Sequence, residues 1–220
     1  MAVTDCAPSS TLRASHDRGS LWPLGRNMNP IIPIIISSLA LSISAITAWL
    51  TLLRRGNLRM TQPATIFLGE DGGGAPGLRA PMKIYFRTLL FSTSRRGQTI
   101  ESIYLNVKRG DSMQNFPIWV FGEEKLSRGC GLHVGFQGLA SNHHFLTAKD
   151  GTEFRFLAGE YTIQVFAKLV EDRKPSHIFV IKVTISEQQA HELLAPMTGV
   201  YFDWSPDQQK YHSHIGRKPI

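Results

Sequence analysis

The sequence predicts an all-β domain, an antiparallel β-sandwich with one short helix, preceded by a single transmembrane α-helix. Three observations carry this reading. Ile31 to Leu53 contains no ionisable side chain. Beyond residue 61 apolar residues alternate with polar ones at a period of 2. Gly, Pro, Asp and Ser break those alternating runs about every eight to twelve residues, the spacing of strands joined by turns.

At about 1.5 Å of rise per residue, a helix over the apolar run is roughly 35 Å long, enough to cross a hydrocarbon core of about 30 Å with modest tilt. Residues 30–55 are therefore read as the span. Pro30 and Pro33 fall in its first turn, where a missing N–H costs nothing, and Trp49 lies near the other end, where an indole suits the headgroup level. The run is longer than the apolar region of a cleaved signal peptide and ends in Leu-Leu-Arg-Arg, without small residues. Before it, residues 1–29 mix Ala, Ser, Thr, Gly and Pro without periodicity and are expected to be disordered. Met28 is an alternative start.

Orientation follows from the flanking cations. Arg54, Arg55 and Arg59 crowd the C-terminal flank, against Arg26 close on the other side. This places the C-terminal domain in the cytoplasm of a cell membrane; Arg13 and Arg18, where present, pull towards the opposite, extracytoplasmic placement. After the span about 160 residues remain, enough for one domain. The formal net charge is +7, but no helix or loop concentrates it, which argues against nucleic acid as a partner. Cys6 and Cys130 lie on opposite sides of the span, so they cannot pair within one chain. A lone thiol in the domain leans towards a reducing compartment.

Residues 56–61 read as a linker and 62–205 as the sandwich. Strands are expected over 64–68, 82–91, 99–108, 116–121, 132–136, 143–148, 153–157, 161–170, 177–185 and 199–202. Ile103, Leu105 and Val107 share one strand face, as do Tyr161, Ile163, Val165, Ala167 and Leu169. Arg96-Gly97, Arg109-Gly110-Asp111-Ser112 and Asp150-Gly151 supply turn chemistry. Ser186 with Gln189 forms a capping box, predicting a helix over 186–194. Residues 206–220 are expected to be a disordered tail. Leu157-Ala158-Gly159-Glu160-Tyr161, running into a strand, resembles the tyrosine corner of immunoglobulin-like sandwiches, which implies Greek-key architecture. The match covers five residues and lacks the Cys and Trp marks of antibody-type domains.

No motif amounts to a catalytic site. His212 and His214, two apart, face one way along a strand, whereas His143 and His144 point to opposite faces; no Asp, Glu or Cys completes a metal-ligand spacing. Gly69-Glu70-Asp71-Gly72-Gly73-Gly74 lacks the Gly-Lys-Ser/Thr ending of a phosphate loop, though Glu70 and Asp71 offer oxygens suited to Ca²⁺. Cys130 sits between glycines beside Arg128, with His133 three residues on. Trp119, Tyr201 and Trp204 are candidate anchors for a protein partner, and Pro117 within the 116–121 run suggests an edge strand open to strand addition. Arg54, Arg55, Arg59, Arg95 and Arg96 are candidate contacts to the membrane surface. The expectation is a membrane-anchored binding or assembly module without cofactor or metal, its partners being membrane lipid through the helix and a protein. Two alternatives stand beside it: an enzyme in which Cys130, His133, His143 and His144 converge in a cleft, and a carrier holding a hydrophobic ligand between its sheets.

Overall fold

The structure, a computed structural model, describes residues 31–72, 80–123, 125–129, 131–148 and 153–217. The chain divides into two compact units, Met1–Ser44 and Ala45–Ile220. Helix α1 (Ile31–Ala48) provides the described part of the first and runs on into the second, where Trp49–Leu53 closes it as a π-helical turn with Arg54 N–H bonded to Trp49 O at 2.9 Å. Ile31–Leu53 is long and apolar enough to cross a membrane, and none of its residues is buried in protein. Two of its hydroxyls fold back on the helix: Ser42 Oγ donates to Ser38 O at 2.8 Å and Thr51 Oγ1 to Thr47 O at 2.7 Å. A polar group without water nearby needs that internal partner. The expected segment 1–29 lies outside the described residues.

The rest of the second unit is two antiparallel β-sheets. The larger contains β1 (Leu58–Met60), β2 (Thr65–Glu70), β3 (Met82–Ser92), β6 (Ile118–Gly122), β7 (Ser127–Arg128), β9 (Leu139–Leu146), β12 (Gly199–Ser205) and β13 (Lys210–Gly216). Its order is β13-β12-β2-β3-β9-β6-β7, with β1 also paired to β3. The smaller contains β4 (Gln98–Arg109), β5 (Ser112–Phe116), β8 (Leu132–Val134), β10 (Gly159–Leu169) and β11 (Ser176–Ile185), ordered β11-β10-β4-β5 with β8 also on β4. Facing residues interdigitate in one core: Ile84, Phe86 and Phe145 from the first sheet, Leu105, Ile163 and Val165 from the second, all at most 1% exposed. The alternation read from sequence in β4 and β10 sends the expected side chains inward. Helix α2 (Glu187–Glu192) starts on the expected capping box, Ser186 Oγ accepting from Gln189 N–H and Gln189 Oε1 from Ser186 N–H.

Several expectations need correction. The run 116–121 is not one edge strand. Phe116 ends β5 in the smaller sheet and Ile118 begins β6 in the larger, so Pro117, which has no N–H to give a ladder, marks a change of sheet. Residues 153–157 form no strand; Phe154 and Phe156 instead pack edge-on near the core. The linker carries β1, whose Leu58 and Met60 are buried. The tail expected over 206–220 carries β13, paired along its whole length with β12; polar side chains hid a strand held by its backbone ladder and by Tyr211 and Ile215, which pack against the core.

The outer face of the larger sheet also holds a buried layer that alternation did not forecast. Phe67 is fully buried there, over Gly199 of β12, where a Cβ would lie 2.0 Å from its ring. Tyr201 tilts against it at 4.9 Å. Lys83 is 2% exposed and ion-pairs Asp71 at 3.1 Å.

Candidate functional site

The chain enters the β unit through residues 54–57, and the end of the sandwich it enters has a distinctive make-up. Asn57 is fastened to the β3–β4 turn, its N–H donating to Thr93 Oγ1 at 2.7 Å and its carbonyl accepting from Thr93 N–H at 3.0 Å. Gly56 runs so close to Ser94 that a Cβ would meet it at 2.5 Å. Gln98 Nε2 donates to Gly56 O. Four residues after the apolar run ends, the backbone is therefore part of the folded domain.

At this end a cavity of about 430 Å³ opens, floored by Leu58, Leu169 and Ile178 and rimmed by Arg55, Arg59 and Arg96. Arg96 Nη2 meets Glu171 Oε1 at 2.7 Å and Arg55 Nε meets Glu171 Oε2 at 3.9 Å. One carboxylate is thus shared between two guanidinium groups. All three side chains are at least half exposed, so the pairs contribute little to stability. Arg59 projects outward between buried Leu58 and Met60. Arg54 and Arg95 are exposed, and the β10–β11 turn adds exposed Arg173 and Lys174 beside Glu171 and Asp172. These are seven cations against two carboxylates, a surplus of five in a chain whose formal net charge is +7.

The membrane-contact residues picked from sequence fall at this one end. The proposed protein-contact residues do not come together. Trp119 is 4% exposed and belongs to the core, so it is no surface anchor. Its ring stacks on Phe121 at 4.5 Å, and Nε1 donates to His143 Nδ1 at 3.1 Å. Tyr201 and Trp204 are partly exposed and, three apart on β12, leave opposite faces. Tyr201 stacks on His214 at 5.2 Å, and Trp204 meets Tyr211 edge-on at 5.0 Å.

The histidines of the enzyme reading are also dispersed. His133 is exposed on β8 and bonds Thr99 Oγ1 through Nδ1 at 3.2 Å. His143 points into the core and His144 outward beside Tyr85, as their adjacency on one strand requires. Burial pushes both imidazoles down to about 4, with neighbouring positive charge adding to it: His144 acts on His143, and Lys83 on His144. Because Trp119 donates to Nδ1 of His143, its other nitrogen carries the proton, and that buried Nε2 has no hydrogen-bond partner among the described residues. Cys130 lies outside the described residues. Among the described residues no three His, Cys, Asp or Glu side chains are grouped to hold a metal. His214 Nδ1 instead pairs with Asp203 at 3.3 Å. Asp71, considered for Ca²⁺, is engaged by Lys83. The carrier reading needs an apolar cavity between the sheets; Ile84, Phe86 and Phe145 of one sheet and Leu105, Ile163 and Val165 of the other instead belong to one packed cluster there.

Sequence reasoning missed Phe136, 54% exposed in the β8–β9 turn of the same basic end, and left Arg173 and Lys174 without a role. The signal was present in part: the basic pairs at 95–96 and 173–174 occupy turns, and only the strand pairing shows that both turns lie at one end.

No family model matches the sequence, and no curated protein matches it. Among solved structures the chain is similar to the CooA pilin subunit from enterotoxigenic Escherichia coli. The identity is 14%, over 56% of this chain and 98% of that chain, with a TM-score of 0.27; a likeness at that level carries no argument about this chain.

Proposed function

We propose that the chain is a single-pass membrane protein whose β-sandwich lies on the cytoplasmic side and serves as a binding or assembly module. The observation that carries this is the passage from a 23-residue apolar helix, through residues 54–56, into a packed two-sheet domain. Arg54, Arg55 and Arg59 on that side favour cytoplasmic placement. With Arg95 and Arg96 they offer cations worth about 1 kcal/mol each near an anionic leaflet.

An immunoglobulin-like topology is part of the proposal. The orders β2-β3-β9-β6 and β11-β10-β4-β5 correspond to the A-B-E-D and G-F-C-C′ order of such domains. Tyr161, at the start of β10, donates its hydroxyl to Leu157 O at 2.8 Å and accepts from Leu157 N–H at 2.7 Å, which supports reading it as a tyrosine corner. On this reading the β12–β13 hairpin is an addition at the β2 edge. It presents Tyr201 and Trp204, the aromatic contacts we assign to a protein partner.

The test is proximity crosslinking from positions 201 and 204 in native membranes. Recurrent capture of one complex, lost in Tyr201→Ala or Trp204→Ala, supports the module. Capture at positions 201 and 204 no different from that at exposed Lys182 in β11 counts against it.

A further inference from the structure

We propose that the basic end of the β unit docks on an anionic bilayer surface, with Phe136 seated at the boundary between headgroups and acyl chains and the surrounding cations on lipid phosphates. The inference rests on the membrane-anchored reading and adds to it an inserted residue, a lipid class and a fixed resting position for the domain.

Phe136 lies in a turn held at both ends. Gly138 N–H and Ser92 N–H both donate to Gly135 O, at 3.2 and 3.1 Å. Gly138 has φ +81, and a Cβ there would lie 2.8 Å from Leu89 Cδ1, so the turn is tight and glycine-dependent. It presents an apolar ring that is 54% exposed, next to Leu139 at 38%. The Ser92 bond ties this turn to the end of β3, one residue from Thr93 and hence from Asn57. Arg95 and Arg96 follow in the β3–β4 turn, and Arg96 reaches Glu171, whose own turn carries Arg173 and Lys174.

An exposed phenyl ring among cations combines the two chemistries that hold peripheral groups on anionic lipid: apolar burial in the acyl boundary and attraction to phosphate. An acidic protein would answer the same charge. What selects lipid is the tether. Asn57 is already bonded to Thr93, and only four peptide steps, at most about 14 Å fully extended, separate it from Leu53 at the end of the apolar run. If that run spans, this end of the domain cannot leave the vicinity of the headgroups.

The experiment uses the full chain with Cys6 and Cys130 changed to Ser and single cysteines placed at Ile43, Met113 or Phe136, each carrying an environment-sensitive fluorophore. The proteins are reconstituted in phosphatidylcholine vesicles with or without phosphatidylglycerol. Met113 is 64% exposed near the β4–β5 turn, at the opposite end of the sandwich. The expected result is a probe at 136 that brightens about threefold when phosphatidylglycerol is present, is quenched by shallow spin-labelled lipid, and loses the effect in high salt. The probe at 113 stays in water throughout. R96Q/R173Q/K174Q, checked for native circular dichroism, lowers the response at 136 by at least about half.

A probe at 136 in water in both lipids, with that at 43 buried, overturns docking and leaves the anchor intact. A probe at 43 in water overturns the anchor reading itself. Equal burial at 136 with and without phosphatidylglycerol overturns the role given to charge.

Discussion

The two ends of the sandwich are built for different purposes. At the far end, several polar groups are tied into the fold: Tyr161 closes on Leu157, Arg109 donates to Ala158 O at 3.0 Å, and Lys83 pairs with Asp71. At the entry end a single carboxylate, Glu171, is divided between two arginines while Arg54, Arg59 and Arg95 stand exposed beside them. Charge that the fold does not consume is free to act on something outside it. Stability should therefore be sensitive to the core and the far end and indifferent to the entry end, with membrane behaviour showing the reverse.

The largest effect should come from the shared core. Trp119→Ala removes a 4% exposed indole and should cost about 3–5 kcal/mol in urea unfolding. A loss below about 1 kcal/mol would contradict its placement inside.

Acid should act through the buried imidazoles. His143 and His144 have folded values of about 4, below the usual 6.5 or so of an unfolded chain. The unfolded state takes up protons first, so stability falls as pH drops from about 6.5 to 4 and levels off below that. For His143, whose Nδ1 already accepts from Trp119, the loss is on the order of 3 kcal/mol. Unfolding curves at pH 7 and pH 5 test this. His143→Gln should flatten roughly half of the dependence.

At the far end, Tyr161→Phe deletes both bonds to Leu157 and should cost about 1–2 kcal/mol. At the entry end, Arg96→Gln should change stability by less than about 0.5 kcal/mol. If calorimetry showed it as damaging as Tyr161→Phe, the contrast between the ends would fail.

What the sequence could convey depended on whether the signal was local. The paired faces of β4 and β10 and the capping box at Ser186 are each readable within a dozen residues, the apolar helix within its own 23, and each appears where expected; Tyr161 bonds the backbone of Leu157, four residues upstream. Pro117 was read as an edge mark because a ladder gap looks the same whether the strand lies at an edge or changes sheet. β13 escaped because His212, Ser213 and His214 have no apolar alternation, and its pairing with β12 is set by backbone. Trp119 looked like a surface anchor because aromatic residues suit an interface as well as a core; its partner in the core, His143, is 24 residues away. The basic end is a mixed case: Arg54, Arg55, Arg59, Arg95 and Arg96 group together in the sequence reading, whereas Arg173, Lys174 and Phe136 join them only through the strand pairing.

Protease access in sealed membrane vesicles of both orientations reads out whether the domain is anchored and lies on the cytoplasmic side. A protein anchored this way resists carbonate extraction, with its β domain digested when the cytoplasmic face is outward and protected when it is inward. Digestion in the opposite orientation, or release of the protein by carbonate, would contradict the anchored, cytoplasmic placement.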